Sequence, residues 1–171
     1  MFIKICGIRD AATADACVGL GVAATGFVLA DGSVRQISAA DAAAIVASVP
    51  ESIETVGVFT DAPTDSIVDD VRAAGLRTAQ LHGPRSAAEL EVLRAAGIDV
   101  ILARRVGEPV EDASLRLLID GDVPGSGTAF AVDRLDASTL PVRWILDGGR
   151  GAGTVAERVH LLQPPGVDLS R

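Results

Sequence analysis

The sequence has no tyrosine, one tryptophan and four phenylalanines, and aromatic residues make up only 3% of it. A core without aromatic bulk must be built from Ala, Val, Ile and Leu, and a hydrophobic content of 49% supplies them. That fraction, with a mean hydropathy of +0.37, excludes a disordered chain. No apolar run approaches the ~18 to 20 residues that cross a bilayer, so no membrane segment is expected. The opening MFIKICGIRD lacks the basic region, long apolar stretch and cleavage site of a secretory signal. The expected setting is cytoplasmic.

Cysteine, histidine and positive charge are also scarce. Cys6 and Cys17 are the only thiols, their spacing is not CxxC, and two histidines are too few for a zinc site. A Cys6–Cys17 disulfide is not expected in a cytosolic protein. Fifteen Lys and Arg stand against 23 Asp and Glu, giving a net charge of −8 with no basic run. Such a chain repels a phosphate-rich polymer, so nucleic acid is not an expected partner. A small anionic ligand is still compatible, because one or two arginines and backbone N–H groups hold it locally.

What is present is a regular alternation of short apolar runs with Ala-rich helical stretches. Strands are expected over residues 1–8, 24–30, 53–60, 76–83, 98–106, 115–121, 142–149 and 166–171. Helices are expected over 10–21, 38–50, 61–75, 84–97 and 153–164. Ser38 is the expected N-cap of the second helix, and Pro84 the opener of the fourth. Gly21, Gly75 and Gly97 are the expected stops. Residues 107–114 are too few for a full helix, so the fifth helix is expected to be reduced. Residues 122–141 read as a long loop that has room for a short helix.

Strict alternation implies parallel strands joined by right-handed crossovers. Eight strands favour a closed (β/α)8 barrel. The rival, a doubly wound sheet, needs a Gly-rich fingerprint at the first strand–helix turn, and CGIRDA has one glycine and no GxGxxG. A single barrel domain over 1–171 is expected, with no internal repeat.

In such a barrel, catalytic groups stand where strands end. Those ends carry Cys6, then Ser33 and Arg35, then Gln80 and His82, then Asp120, Asp147, Asp168 and Ser170. Cys6 and Asp120 sit on strands roughly opposite each other, a geometry for a general base and a general acid. The base requires a lowered thiol pKa and the acid a raised one. The plainer readings stay open: Cys6 as a small buried apolar residue, Asp120 as a turn former. Arg35 suits a substrate carboxylate or is a solvated surface charge. His82 lines the site or is a satisfied core histidine. PGSGTAF, with Gly127, and LDGGRGAG, with Gly148 and Gly149, are either phosphate cradles or simple turns. Cys17 lies on the first helix and reads as packing.

These words in this order resemble the phosphoribosylanthranilate isomerases. KICGIRD resembles that family's opening strand and turn, GFVLADGSVRQIS its second strand and arginine loop, and VGVF and AQLHG its next two strands. LLIDGDVPGSGTAF resembles the sixth strand with its aspartate and glycine loop, and ILDGG and GVDLS the last two strands. The resemblance implies a (β/α)8 barrel that carries out an Amadori rearrangement in tryptophan biosynthesis without cofactor or metal. It implies Asp120 as the acid that opens the furanose ring and Cys6 as the base at C2. It implies Arg35 on the anthranilate carboxylate, and Gly127, Gly148, Gly149 and Ser170 around the phosphate of the substrate. A related histidine-pathway isomerase has aspartate at the first-strand position, so Cys6 argues against that substrate.

Two positions depart from the family pattern. GSVR lacks the usual proline before the arginine, and Asp147 stands where alanine is usual. A carboxylate at 147 repels a phosphate unless it points away. The sequence stops just inside the eighth-strand loop, where the family continues through a glycine-containing phosphate loop and a final helix. A missing final helix leaves apolar surface at the barrel seam, and a homodimer is one way to cover it. Two alternatives remain: a diverged isomerase for another phosphorylated sugar amine, and a barrel that serves assembly alone.

Overall fold

The structure, a computed structural model, describes residues 1–108, 112, 114–120, 135, 140–147 and 152–170. Eight parallel strands close on themselves in chain order. They are β1 (Phe2–Cys6), β2 (Ala24–Val28), β3 (Glu54–Phe59), β4 (Thr78–His82), β5 (Asp99–Arg105), β6 (Arg116–Asp120), β7 (Trp144–Asp147) and β8 (Gly166–Ser170). Helices α1 (Ala11–Gly19), α2 (Ala39–Val46), α3 (Thr64–Ala73) and α4 (Ala87–Ala95) connect the first five strands, and α5 (Ala152–Leu162) joins β7 to β8. The expected (β/α)8 barrel is therefore the fold. The expected reduced fifth helix, over 107–114, falls in part on residues 109–111 and 113, which lie outside the described residues. The 122–141 loop expectation lies almost entirely outside the described residues.

Local chemistry sets the helix starts. Asp10 caps α1 by accepting from Thr13 N at 2.8 Å, and Ser38 caps α2 from Asp41 N. The fourth helix starts later than the proline suggests. Ser86 and Glu89 form a reciprocal capping box, which satisfies two orphan N–H groups at once. That outweighs the preference of Pro84 for a first turn. Gly21, Gly75 and Gly97 stand just past α1, α3 and α4, as expected.

Period-two alternation sorts the strand residues between two packing regions. Ile3 and Ile5 of β1 face outward and pack with the helix-facing core around Leu81, Leu102, Leu117 and Leu146. Phe2 and Cys6 face inward, where they meet Ala24, Val56, Ile101, Leu118 and Ile145 low in the barrel and Val28, Ala30 and Val58 higher up. Register closes the ring: β1 pairs β8 from Phe2↔Gly166 to Cys6↔Ser170. Among the described residues, no helix is long and apolar enough to cross a membrane.

Candidate active site

The inward residues at the ends of five strands form the floor of a polar rim. Cys6 ends β1, His82 ends β4, Asp120 ends β6, Asp147 ends β7 and Ser170 ends β8. A cavity of about 190 Å³ is walled by Cys6, Ser33, Arg35, His82, Asp147, Asp168 and Ser170, with apolar walls from Val28, Ala30 and Val58. A second cavity of about 370 Å³ adjoins it and holds Asp120 with Arg104 and Arg105. His82 lines both cavities. Cys6, Arg35, His82 and Ser170 are thus brought together, and Asp120 stands on the far side of the histidine. Gly127, Gly148 and Gly149 lie outside the described residues.

Two glycines shape the thiol's surroundings. Gly7, at φ +87°, turns the chain out of β1, and a Cβ there would meet Arg35 Cδ at 2.9 Å. The arginine stem therefore lies against bare backbone beside Cys6. Its loop is held by Ser33 Oγ, which accepts from Arg35 N at 3.2 Å. It is also held by Arg9, which donates to Val34 O at 3.1 Å. No proline is needed to fix this turn. Gly26, the β2 partner of Cys6, leaves the space that the sulfur occupies.

Below the thiol lies an ion pair. Lys4 Nζ donates to Asp168 Oδ2 at 2.6 Å, and both side chains are buried. Burial is the largest influence on Lys4 and opposes its charge, but Asp168 and Cys6 outweigh it and hold its pKa above the ordinary value. Burial likewise pushes the Cys6 thiol up; Lys4 and Arg35 pull it down without overcoming burial and the Asp168 charge. The lowered thiol pKa expected of a base is thus not found; the thiol's pKa is raised. Burial lowers the pKa of His82, although Asp120 and Asp168 partly offset it, so the imidazole is neutral at pH 7. Its Nε2 lies 3.1 Å from Gln80 Nε2.

Of four buried side-chain oxygens without a hydrogen-bond partner among the described residues, two are Asp168 Oδ1 and Gln80 Oε1. Both residues are in the wall of the Cys6 cavity. Buried acceptors left open cost free energy unless a ligand donor meets them. Asp147 also lines this cavity. Cys17 is 4% exposed and packs in the helix-facing core, as expected. No cluster of three or more His, Cys, Asp or Glu able to hold a metal ion is found among the described residues.

The sequence reading names Asp168 but passes over Lys4 and the buried Arg104. The signal for Lys4 is parity: it is a charge two residues before an inward Cys6, so it too must face the barrel. Arg104 has no comparable signal, because the Arg104–Arg105 pair reads equally well as an exposed strand end.

A closed parallel barrel whose strand ends gather a thiol, carboxylates and an arginine over open cavities defines a (β/α)8-barrel protein with a rim site suited to proton transfer. The family model described as N-(5'-phosphoribosyl)anthranilate (PRA) isomerase matches residues 3–171. The chain belongs to that family. The N-(5'-phosphoribosyl)anthranilate isomerase of Gloeobacter violaceus is 36% identical, over 99% of this chain and 83% of the relative. The crystal structure of phosphoribosyl anthranilate isomerase from Thermus thermophilus superposes with a TM-score of 0.83 at 36% identity, covering 99% of this chain and 87% of that one. A phosphoribosyl anthranilate isomerase in complex with reduced 1-(o-carboxyphenylamino)-1-deoxyribulose 5-phosphate has TM-score 0.77 and 27% identity, with 99% and 87% covered. Monomers made from the dimeric enzyme of Thermotoga maritima have TM-score 0.78 and 28% identity, with 99% and 86% covered.

Proposed function

We propose that Cys6 and Asp120 are the base and acid with which this chain isomerises N-(5'-phosphoribosyl)anthranilate to 1-(2-carboxyphenylamino)-1-deoxyribulose 5-phosphate. As a member of its family, the chain is an isomerase of tryptophan biosynthesis. Asp120 gives its proton to the furanose ring oxygen, the C1–O bond breaks, and C1 becomes an iminium carbon. The Cys6 thiolate then takes the proton from C2. The electron pair released from C2–H forms C1=C2, and the C=N electrons return to nitrogen. The resulting enolamine becomes the ketose amine when C1 gains a proton and the C2 hydroxyl loses its own, leaving the C2 carbonyl.

The observation that carries this reading is the shared wall. Cys6 and Arg35 line one cavity, Asp120 the next, and His82 separates them. A substrate with an anionic aromatic amine at one end of a sugar can therefore keep its carboxylate on Arg35 while C2 reaches the thiol. Ser170 lies at the mouth beside Cys6, a place from which its hydroxyl supports the phosphate. Gly127, Gly148 and Gly149 are assigned to the same phosphate on the resemblance. His82, neutral, serves as a polar wall for the sugar. The scheme uses no metal or cofactor. Loss of substrate fluorescence, with the ketose amine identified as product, tests it; absence of turnover by pure folded protein would remove the reading.

One observation favours a second substrate of the same class. Asp147, at a position where alanine is usual in the family, lines the cavity, and its larger side chain shapes the pocket for another phosphorylated sugar amine. Turnover of such an amine in preference to phosphoribosylanthranilate would establish that reading. We also assign a homodimer to the chain, supported by the dimeric Thermotoga maritima relative; sedimentation as a monomer would remove it.

A further inference from the structure

The strand that carries Cys6 carries a second inward group that the reaction leaves unused. Lys4 is completely buried, and Asp168 Oδ2 is 2.6 Å from its ammonium. An aliphatic side chain would fill this space without the cost of burying two charges. Alternation stacks Lys4 beneath Cys6 on one face of β1. A Cβ on Gly26 would lie 3.0 Å from Cys6 Sγ and 3.1 Å from Lys4 Cε, so the sulfur and that carbon border the same spot, within about 6 Å of each other. Any larger residue at 26 would push into both side chains.

We propose that Lys4 is the positioning residue of the base: held from below by Asp168, its ammonium stabilises the Cys6 thiolate during proton abstraction. The inference rests on the reading of Cys6 as base. The charged and titratable groups around the thiol come from every side. They are Lys4 on β1, Arg35 after β2, His82 on β4, Arg104 and Arg105 on β5 with Glu108 after it, Asp120 across on β6, Asp147 on β7 and Asp168 on β8; the β5 groups line the cavity beyond His82. On this side β3 contributes only Val58 and Thr60. Arg35 is spent on the substrate carboxylate once the ligand is bound, which neutralises its charge. Lys4 is then the cation that stays with the sulfur, and it cannot leave because it is buried and paired.

The two members of the pair act on the thiol with opposite signs, and that supplies the test. In a Cys17→Ala background Cys6 is the only thiol, and its ionisation is followed by thiolate ultraviolet absorbance and by alkylation with iodoacetamide. Lys4→Met should raise the titration midpoint and slow alkylation at neutral pH by ~10-fold or more, because a cation a few Å away is worth about one to three pH units. Asp168→Asn keeps the shape, removes the opposing charge, and should lower the midpoint and speed alkylation. The rising limb of the kcat–pH profile should move the same way in each variant. Loosening of the barrel moves both variants in one direction. A common direction, or no movement in either, overturns the proposal. Should Lys4→Met not fold, an unmoved or raised midpoint in Asp168→Asn overturns it alone. The titration needs no substrate, so a wild type without isomerase activity would sink the functional reading and leave this result readable.

Discussion

Two ion pairs between inward side chains, one at the N-terminal mouth of the barrel and one beneath its C-terminal rim, are completed differently. At the N-terminal mouth Glu54 takes both guanidinium nitrogens of Arg116, with Nη1 donating to Oε2 at 2.8 Å. Thr78 donates to the same carboxylate, and the guanidinium lies 5.8 Å from the centre of the Phe2 ring. Beneath the C-terminal rim Lys4 meets one oxygen of Asp168, and the other oxygen has no partner among the described residues. A closed network stabilises and has nothing left to offer a ligand. The open one forfeits stability and keeps hydrogen-bonding capacity beside the thiol. On the proposed function the two pairs divide the work of the fold, one holding the barrel together and the other lying beside the group that meets the substrate.

The largest effect is expected at the C-terminal mouth. Asp120→Asn should lower turnover by ~10²-fold or more, the lower range for a proton-transfer group, with the melting temperature nearly unchanged. Wild-type turnover would remove Asp120 from the mechanism. Next comes Arg35→Met, expected to lower kcat/KM by ~10-fold or more through loss of a charge-assisted hydrogen bond. An analogue without the carboxylate should lose far less, and an equal loss for both would mean that Arg35 is structural.

At the N-terminal mouth the effect should be on stability alone. Glu54→Gln should cost about 1–3 kcal/mol, since a hydrogen bond to a charged group is lost and Arg116 is left unpaired, while kcat is retained. Burial raises the Glu54 pKa, but Arg116 and Thr78 outweigh it and hold it below the ordinary 4.5. A carboxyl depressed in this way contributes stability that is present above its unfolded value and lost as pH falls through the folded one. Wild type should therefore lose stability on acidification below pH 4.5 more steeply than Glu54→Gln. Parallel acid unfolding curves would contradict the assignment.

Much of this division is legible in the sequence. Alternating strands and helices specify the barrel, and the barrel specifies that strand ends carry the site, so Cys6, Arg35, His82, Asp120 and Ser170 are reached from the residues alone. The Lys4–Asp168 pair is not, because its members are 164 positions apart and meet only through the register that closes β8 on β1. The raised thiol pKa is also hidden, since burial is a property of the closed ring and not of the KICG word. The start of α4 is legible in hindsight: Ser86-Ala87-Ala88-Glu89 is a capping-box pattern, and the proline two residues earlier draws attention away from it. The phosphate glycines Gly127, Gly148 and Gly149 remain assigned by resemblance.

The most direct measurement is the pH profile of kcat/KM for Cys6→Ser beside the wild type, with phosphoribosylanthranilate as substrate. Burial holds the thiol above its ordinary 9.0, so wild-type kcat/KM should rise with pH through the neutral range, as a base that must first lose its proton requires. Cys6→Ser should fall by ~10²-fold or more at neutral pH and lose that limb, while keeping the wild-type melting temperature. Wild-type activity in Cys6→Ser, with the same rising limb, would contradict the assignment of the base to Cys6.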